Sequence, residues 1–561
     1  MNLNTQFVFE SKTKTLLIGG MVLGAVCLGL TFFNDDEYHT RFWSNWLHNS
    51  VFFTGIAFTS MFFLAAQITA FAGWNSVIRR VWESMSMFMW VGLILMGVIA
   101  LGVWGHFHHL YFWNDPHLNL TDPDAPHYDR IIAGKKGFLN PVWFTIGTLG
   151  FLAIWYFWCV KLRQASVDQD TMETSEFKYY RKQRKWAASF LPLGGFLSTV
   201  FLWQSVMSVD PHWYSTMFAW YSMISMWLGS LALTVMLIIY LKSKGYLEYV
   251  TQNHLHDVGK FLFGISVFWT YLWFDQFMLI WYANNGEETI YFNERMTHYP
   301  VLFWGNLLLN FVTPFLILMR NDTKRKFGTM FFVALLVFFG HWWDYFYMIK
   351  PGARIGAFEA KELAEGKHGG ESHGSVAPTT SGENHDAAPA SVETTAGEHT
   401  AENHDTTKPT EEHAADGHTH ADGEQHGDTT HEGAAHTEEP PGGTEHPDGE
   451  KHEGEHPASV ETTAGKPTTG AATTTGEHGG GANHDEHGGG HHGAPKEFKL
   501  GFTIPGLEEI GTLIGFLSLF LFFFFNQLSK VSLVPLRDPF LEESLHHDTG
   551  ALIEGEGGGH H

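Results

Sequence analysis

The chain has 561 residues, a formal net charge of −25 and a mean hydropathy of −0.09, averages that suggest a soluble acidic protein. These averages blend two populations. Residues from about Glu359 to Lys496 are almost all Gly, His, Glu, Asp, Thr, Ala and Pro, whereas the remainder is rich in Trp, Phe, Leu and Met. The apolar remainder excludes a soluble globular protein.

Ten apolar segments are long enough to cross a bilayer, since about 20 helical residues span a hydrocarbon core about 30 Å thick. The first is predicted to be a retained span rather than a signal peptide, because Asn34-Asp35-Asp36 follows it with no small-residue cleavage site. The sequence therefore predicts an all-α integral membrane protein with about ten transmembrane helices. The segments lie near residues 15–33, 46–71, 84–107, 140–161, 187–207, 214–241, 260–283, 300–319, 328–348 and 507–527.

The only two cysteines, Cys27 and Cys159, each fall inside a predicted span. Neither begins a CxxCH motif, so no covalent c-type haem is expected in this chain. Two thiolates are also too few for an iron–sulfur cluster of the usual four-cysteine kind. Any electron acceptor would therefore have to come from a partner or from a non-covalent haem. The histidines that could be ligands of such a haem are His48, His106, His212 and His341. They lack the repeated spacing of a cytochrome b.

Basic residues favour one alternate set of short loops, which includes Arg79, Lys182 and Lys326. Because cytoplasmic loops carry an excess of Lys and Arg, both termini are predicted to be cytoplasmic and the loop between spans nine and ten periplasmic. The opposite set holds only Arg41, Arg130, Lys135, Lys136 and Arg295.

The long loop at 351–500 is predicted to be disordered, because low hydrophobicity and high acidity leave little to offset chain entropy. It contains one internal duplication, since Pro389–Gly397 and Pro457–Gly465 both read PASVETTAG. Its histidines lie in irregular GEH, NHD and HGG settings. This irregularity favours a solvated acidic spacer over a site for zinc, copper or nickel, so no metal ligand is assigned.

Four stretches carry a resemblance to a known family. Phe268–Phe292 reads FWTYLWFDQFMLIWYANNGEETIYF, Ser205–Thr216 reads SVMSVDPHWYST, Val77–Met85 reads VIRRVWESM and Val534–His547 reads VPLRDPFLEESLHH. The chain resembles the polysulfide-reductase-type (NrfD/PsrC-like) membrane subunits. It resembles most closely the smaller quinone-associated subunit of bacterial alternative complex III, a quinol:cytochrome c oxidoreductase. The resemblance covers nearly everything except the His-rich insertion.

The resemblance implies two four-helix bundles with two peripheral helices in a bacterial inner membrane. Its expected partners are a larger NrfD-like subunit, an iron–sulfur subunit and multihaem cytochrome c subunits, with a terminal cytochrome oxidase as a further candidate. Quinone or quinol is the implied cofactor, whether menaquinone or ubiquinone. The predicted division is 1–41 (N-terminal tail and span one), 42–207 (first bundle), 208–350 (second bundle), 351–500 (His-rich loop) and 501–561 (span ten and tail).

Polar residues in and beside the spans are the candidate site. Quinol oxidation releases two protons, so it requires a carboxylate or histidine near the hydroquinone oxygen, and a membrane carboxylate usually marks such a path. Most of the candidates lie toward the predicted periplasmic side. The candidates for proton transfer or quinol chemistry are Asp275, Asp210, His212, His341, Asp344 and Glu83, and those for lining a quinone pocket are Tyr271, Gln276, Tyr282 and Trp213.

Each candidate has a structural alternative. Asp275 would serve equally well in a hydrogen bond to a neighbouring helix, Asp210 as a cap of span six and Glu83 in an ion pair with Arg79 or Arg80. The resemblance also places the iron–sulfur protein beside the larger membrane subunit, so this chain would transfer protons or act as a non-redox scaffold. A secondary transporter is the more distant alternative, because matched Gly/Pro breaks in the two halves are absent from the sequence.

Overall fold

The computed structural model describes residues 6–171, 177–365 and 504–548. These residues form helices, and their only β-pairing is two isolated bridges. The α-helices are α1 Ser11–Phe33, α2 Thr40–Thr69, α3 Arg79–Ser86, α4 Met89–Gly105, α5 Arg130–Lys135, α6 Pro141–Thr145, α7 Phe151–Asp170, α8 Phe177–Ser205, α9 Thr216–Ser243, α10 Gln252–Ala283, α11 Gly286–His298, α12 Pro300–Leu307, α13 Thr313–Leu318, α14 Asn321–Arg325, α15 Phe327–Ala364, α16 Leu507–Leu528 and α17 Leu541–Leu545.

Ten helical segments in the described ranges are long and apolar enough to cross a membrane, which confirms the predicted all-α multi-pass membrane protein. Two of them are continuous only because π-helical turns, Ile146–Gly150 and Leu308–Val312, join shorter α-helices. The His-rich stretch predicted to be disordered lies, from residue 366 to 503, outside the described residues. The spans are Ser11–Phe33, Thr40–Thr69, Ser76–Gly105, Pro141–Asp170, Phe177–Val209, Thr216–Ser243, Gln252–Ala283, Pro300–Leu318, Phe327–Ala364 and Leu507–Leu528.

The spans run alternately between two ends of the bundle. One end, here called the loop-rich end, carries residues 34–39, 106–140, 210–215 and 284–299. The other, the tail end, carries the short turns after α2, α7, α9 and α13 together with residues 529–548. The basic-residue pattern predicts that the loop-rich end is periplasmic and the tail end cytoplasmic.

Helices α2, α9 and α15 form the buried centre. Helix α2 packs against α3, α4 and α8 on one side and against α9 on the other, while α9 also packs against α10 and α15. Aromatic rings fill these contacts; Phe52 of α2, for example, lies 5.7 Å from Tyr345 of α15 between ring centroids. The division of the spans into two four-helix bundles remains a prediction.

Helix α15 is longer than the sequence suggested. The apolar pattern predicts a span near 328–348 with the loop beginning at 351, but the helix continues through Pro351 to Ala364. Ion pairs hold this extension at the loop-rich end, with Arg354 2.7 Å from Asp36 and Lys361 3.5 Å from Glu37. Residues 351–364 therefore belong to the helix. The hydropathy pattern missed them because their charged side chains look like those of a loop, although ion pairs hold them in the helix.

The first and last spans, α1 and α16, pack directly against each other. Their backbones meet at Gly24 and Gly515, where a Cβ atom built on Gly24 would lie 2.3 Å from the Gly515 Cα. Only glycine permits this approach, and close backbone contact through small residues is a common way for transmembrane helices to associate. The two spans predicted to be peripheral therefore form one pair.

The C-terminal segment is bound to the tail end by buried polar contacts. Asp538 forms an ion pair with Arg79, both side chains being fully buried, and also accepts a hydrogen bond from Ser76. Ser544 Oγ accepts from the Val77 amide and donates to the Trp74 carbonyl. The start of α3 is thus held by residues from the end of the chain.

Replacement of Arg79 by Met is expected to lower the free energy of unfolding by about 3–5 kcal/mol, because it leaves the buried Asp538 carboxylate without its cation. Denaturation in detergent micelles measures the effect. Arg320→Met is the matched control, since the Arg320–Asp322 pair is 76% and 67% exposed and should contribute less than about 1 kcal/mol. A double Arg79→Met/Asp538→Leu variant as unstable as the single variant would contradict this account.

Candidate functional site

A fully buried carboxylate, Asp344 of α15, lies at the centre of the candidate site. It accepts hydrogen bonds from four side chains. Ser225 Oγ lies 2.7 Å and Trp269 Nε1 3.0 Å from one carboxylate oxygen, while Asn306 Nδ2 lies 2.6 Å from the other, which the Tyr221 hydroxyl also contacts. These donors satisfy the carboxylate without a charged partner.

Three helices supply the donors, with Tyr221 and Ser225 on α9, Trp269 on α10 and Asn306 on α12. Tyr221 and Ser225 are four residues apart, so they share the face of α9 that meets α15. Asn306 and Asn310 share a face of the α12 span across the π-helical turn Leu308–Val312. Asn310 Nδ2 donates to Asn306 Oδ1 at 2.6 Å and to the Gly340 carbonyl at 2.9 Å. The Asn310 side chain therefore orients the amide that binds Asp344.

His341 extends this cluster by one residue. Its Nδ1 lies 3.0 Å from Ser225 Oγ, and the Ser225 hydroxyl donates to Asp344. A serine has one O–H proton, so the His341–Ser225 hydrogen bond requires the imidazole proton on Nδ1. His341 Nε2 is then an acceptor, buried and without a hydrogen-bond partner among the described residues. His341, Ser225 and Asp344 form a connected row of proton carriers.

A second buried polar group lies above Asp344, nearer the loop-rich end. The Arg295 guanidinium of α11 is fully buried and donates to Asp210 at 2.9 Å and to the Met348 carbonyl at 3.2 Å. Its carbon lies 3.4 Å from the centre of the Tyr291 ring, whose other neighbour is Trp213, stacked at 3.9 Å. Asp210 is thus paired with a cation inside the chain, rather than only capping the next helix.

A third group reaches the surface of the loop-rich end. His212 Nε2 lies 2.6 Å from Asp129 Oδ2, and His212 Nδ1 lies 3.9 Å from Glu359 Oε1. Burial lowers the pKa of His212, but Asp129 and Glu359 raise that pKa by more, so the net shift is upward. Burial raises the pKa of Asp129, and His212 lowers it by more. Burial lowers the pKa of the neighbouring Lys135, whose ammonium donates to the Pro211 carbonyl at 2.6 Å.

Helix α15 brings these three groups into one row, here called the polar row. Asp344 lies toward the inner end of the row, and one helical turn further the Met348 carbonyl accepts a hydrogen bond from Arg295. One more turn along, Gly352 lies against the Asp210 carboxylate, so closely that a Cβ atom at Gly352 would collide with it. Glu359 and His212 complete it at the loop-rich end. Since Asp344 and Glu359 are fifteen residues apart, the row is about 22 Å long. The sequence-predicted residues Asp210, His212, His341 and Asp344 all belong to it.

The candidate quinone residues do not share one pocket within this chain. Tyr271 and Tyr282 lie on the outer surface of α10, 59% and 84% exposed, and Asp275 is partly exposed beside them. Gln276 points inward, buried, with its amide nitrogen unpartnered among the described residues. Trp213 is buried on Tyr291 instead. These side chains therefore do not fit a quinone headgroup bound by this chain alone.

Glu83 lies far from the polar row, at the tail end. It accepts from Arg80 at 2.7 Å and from Ser166 at 2.6 Å, and Arg80 also binds Asp170 at 2.5 Å. Glu83 therefore forms the ion pair with Arg80 that was the structural alternative to a role in proton transfer.

Several residues of the site were missed by sequence reasoning. Asn306 and Asn310 carried a usable signal, because two amides four residues apart inside an apolar span are costly unless bonded. Asp129 and Glu359 carried none, since both lie in stretches interpreted as loops. The remaining missed residues are Tyr221, Ser225, Trp269 and Arg295.

Similarity to known proteins does not identify the site. No protein-family model matches the chain, and no curated protein is significantly similar to it. The resemblance to the NrfD-like subunits remains a prediction carried by the four stretches quoted above.

The His212–Asp129 pair should be strongest between about pH 4 and pH 6.5. The pKa of His212 is raised, so its contribution to stability is full below the unfolded-state pKa and is lost as pH rises through the folded-state pKa. The pKa of Asp129 is lowered, so its contribution to stability is full above the unfolded-state pKa and is lost in acid. The protection factors of the α5 amides in hydrogen exchange should fall a few-fold from pH 6 to 9, since such a pair contributes about 1 kcal/mol or less to stability.

The α9 amides serve as the internal reference for that experiment, because they lie in the buried centre. His212→Gln should abolish the pH dependence in α5. An unchanged profile in that variant would show that another group, Lys135 or Glu359, governs it.

Proposed function

We propose that this chain is the proton-transferring membrane subunit of a respiratory quinol:cytochrome c oxidoreductase of the alternative complex III type. It would lie in a bacterial inner membrane with both termini cytoplasmic, beside a larger NrfD-like subunit, an iron–sulfur subunit and multihaem cytochromes. The four resembling stretches support the complex. The observation that carries the proton-transfer role is Asp344, a buried carboxylate bonded to four neutral donors at the inner end of the polar row.

The four donors suit a carboxylate that gains and loses a proton. A charged carboxylate inside a membrane costs about 2.5–3.5 kcal/mol even on lenient scales. Hydrogen bonds from Tyr221, Ser225, Trp269 and Asn306 offset that cost, and the Ser225 hydroxyl can rotate to accept a hydrogen bond when Asp344 carries the proton. An arginine in their place would form an ion pair with Asp344, as Arg295 does with Asp210.

The polar row gives the proton a direction. His341, Ser225 and Asp344 exchange protons at the inner end through the contacts of 3.0 and 2.7 Å. The Arg295–Asp210 ion pair lies between Asp344 and the polar groups at the loop-rich end. Glu359, His212 and Asp129 then release the proton at the loop-rich end, which the basic-residue pattern assigns to the periplasm. This polarity suits an energy-conserving complex.

Quinol binding within this chain has less support. All four donors already occupy Asp344, so a quinol hydroxyl would have to displace one of them. The remaining quinone candidates are divided between the outer surface and the interior of the bundle. The proposal therefore assigns quinol oxidation to another subunit of the complex.

A purely structural role for Asp344 is the second candidate, and the saturation of its hydrogen bonds favours it. The same contacts tie α15 to α9, α10 and α12, so the carboxylate is also a link between helices. A structural link requires an acceptor oxygen, whereas proton transfer requires an ionisable group. Asparagine keeps an oxygen and cannot ionise, so it separates the two functions.

Asp344→Asn is expected to slow quinol:cytochrome c turnover of the assembled complex by about 100-fold, within the range typical of a lost proton-transfer group. The measurement is cytochrome c reduction by the purified complex at matched subunit content. Asp322→Asn is the control, since Asp322 is 67% exposed at the tail end and lies outside the polar row, and it should retain most of the activity.

Normal turnover in an assembled Asp344→Asn complex would leave Asp344 with the structural role. Loss of assembly in Asp344→Asn would be followed by Asp344→Glu, which restores an ionisable acceptor. Turnover recovered with Glu but not with Asn, at equal assembly, supports proton transfer.

A further inference from the structure

Asp275 is the one carboxylate within the described ranges that lies inside a membrane span, away from its ends, with no partner. It makes no hydrogen bond or ion pair with any other described residue. It lies eight residues before the end of α10, or about 12 Å below the loop-rich end. An ionised carboxylate at that depth is costly when it faces lipid. The outer face of α10 therefore lacks a donor for this carboxylate among the described residues.

The surface around Asp275 is a continuous exposed face. Its neighbours one helical turn away are Tyr271 and Met278, both exposed, while Trp269 and Gln276 on the opposite face are buried. Phe268 stacks with Tyr271 at 6.3 Å between ring centroids, so the face is ordered by its own aromatic contacts. Helix α10 presents this surface, here called the α10 outer face, as one side of a contact. The face comprises Phe268, Tyr271, Phe274, Asp275, Met278 and Trp281.

Asp275 is the one charged side chain among the six residues of this face, and the helix that follows α10 begins with acidic residues. Glu287 and Glu288 begin α11 directly beyond α10, and Glu287 is exposed. Two cations at the loop-rich end already have partners, since Arg295 pairs with Asp210 and the Lys135 ammonium donates to the Pro211 carbonyl. Charge complementarity therefore calls for a cation from a partner.

We propose that the α10 outer face docks a transmembrane helix of another subunit, which places a Lys or Arg side chain against Asp275. A helix covers an elongated face of this kind, whereas a quinol or lipid on a convex helix surface would be covered on one side only. An ion pair between helices also removes the cost of the lone carboxylate, and polar contacts of this type hold transmembrane helices together. This inference rests on the proposed function only in that a multisubunit complex supplies the partner.

The test uses the full chain in its native membrane with a photoreactive phenylalanine analogue at Tyr271. The same analogue at Leu101 of α4 and Phe196 of α8, both exposed on other spans, provides the controls. We expect a cross-link from position 271 that mass spectrometry maps to a transmembrane segment containing Lys or Arg, and none to that segment from the controls.

Substitutions at Asp275 then test the ion pair. Asp275→Leu should reduce the cross-link at least about five-fold, and Asp275→Asn should reduce it less because its oxygen still accepts a hydrogen bond. Asp275→Lys should abolish it, and reversing the mapped cation to Asp should restore it. Asp275 is partly exposed, so neither Leu nor Lys has to pack inside the bundle, and Asp322→Asn at the tail end should leave the yield unchanged.

Two results would overturn the docking proposal. One is an undiminished cross-link in Asp275→Leu, and the other is a position-271 adduct whose mass identifies only lipid or quinone. The outcome is separable from that for the proposed function. A mapped partner helix in a complex that does not oxidise quinol supports docking and contradicts the respiratory role. Turnover that depends on Asp344, without a cross-link that depends on Asp275, supports the respiratory role and contradicts docking.

Discussion

The constraint on which this structure depends is that a polar group inside a membrane must find its partners within the protein. Asp344 meets it with four hydrogen bonds, and Arg295 with Asp210 and backbone carbonyls. Because those partners come from α9, α10, α11 and α12, satisfying the polar groups also fixes the positions of the helices. The helices around α15 are thus arranged by its polar residues as well as by aromatic packing.

The length of α15 turns that constraint into a directional arrangement. A span that ended near residue 348 would carry Asp344 but not Glu359, and the row would stop beneath Arg295. The continuation to Ala364 carries the helix to the surface, where His212 and Asp129 meet it. One continuous helix therefore connects the buried carboxylate with the groups that contact solvent.

The sequence predicted the membrane class and the ten spans, because apolar length is a strong signal. It also selected four residues of the polar row, since polar side chains stand out in apolar spans. The spacing of Tyr271, Asp275 and Tyr282 placed them along one face of a helix, but periodicity does not show whether that face points into the bundle or away from it. Asp129 and Glu359 were out of reach, because contacts between distant segments leave no local pattern.

The C-terminal contacts have a consequence for biogenesis. Arg79 and Asp538 are 459 positions apart, so the ribosome releases the acidic partner long after the arginine has entered the membrane region. The α1–α16 pair has the same property, since the first span receives its glycine partner only when the last one inserts. A chain interrupted before span ten would leave Arg79 without its Asp538 partner and α1 without the helix it packs against.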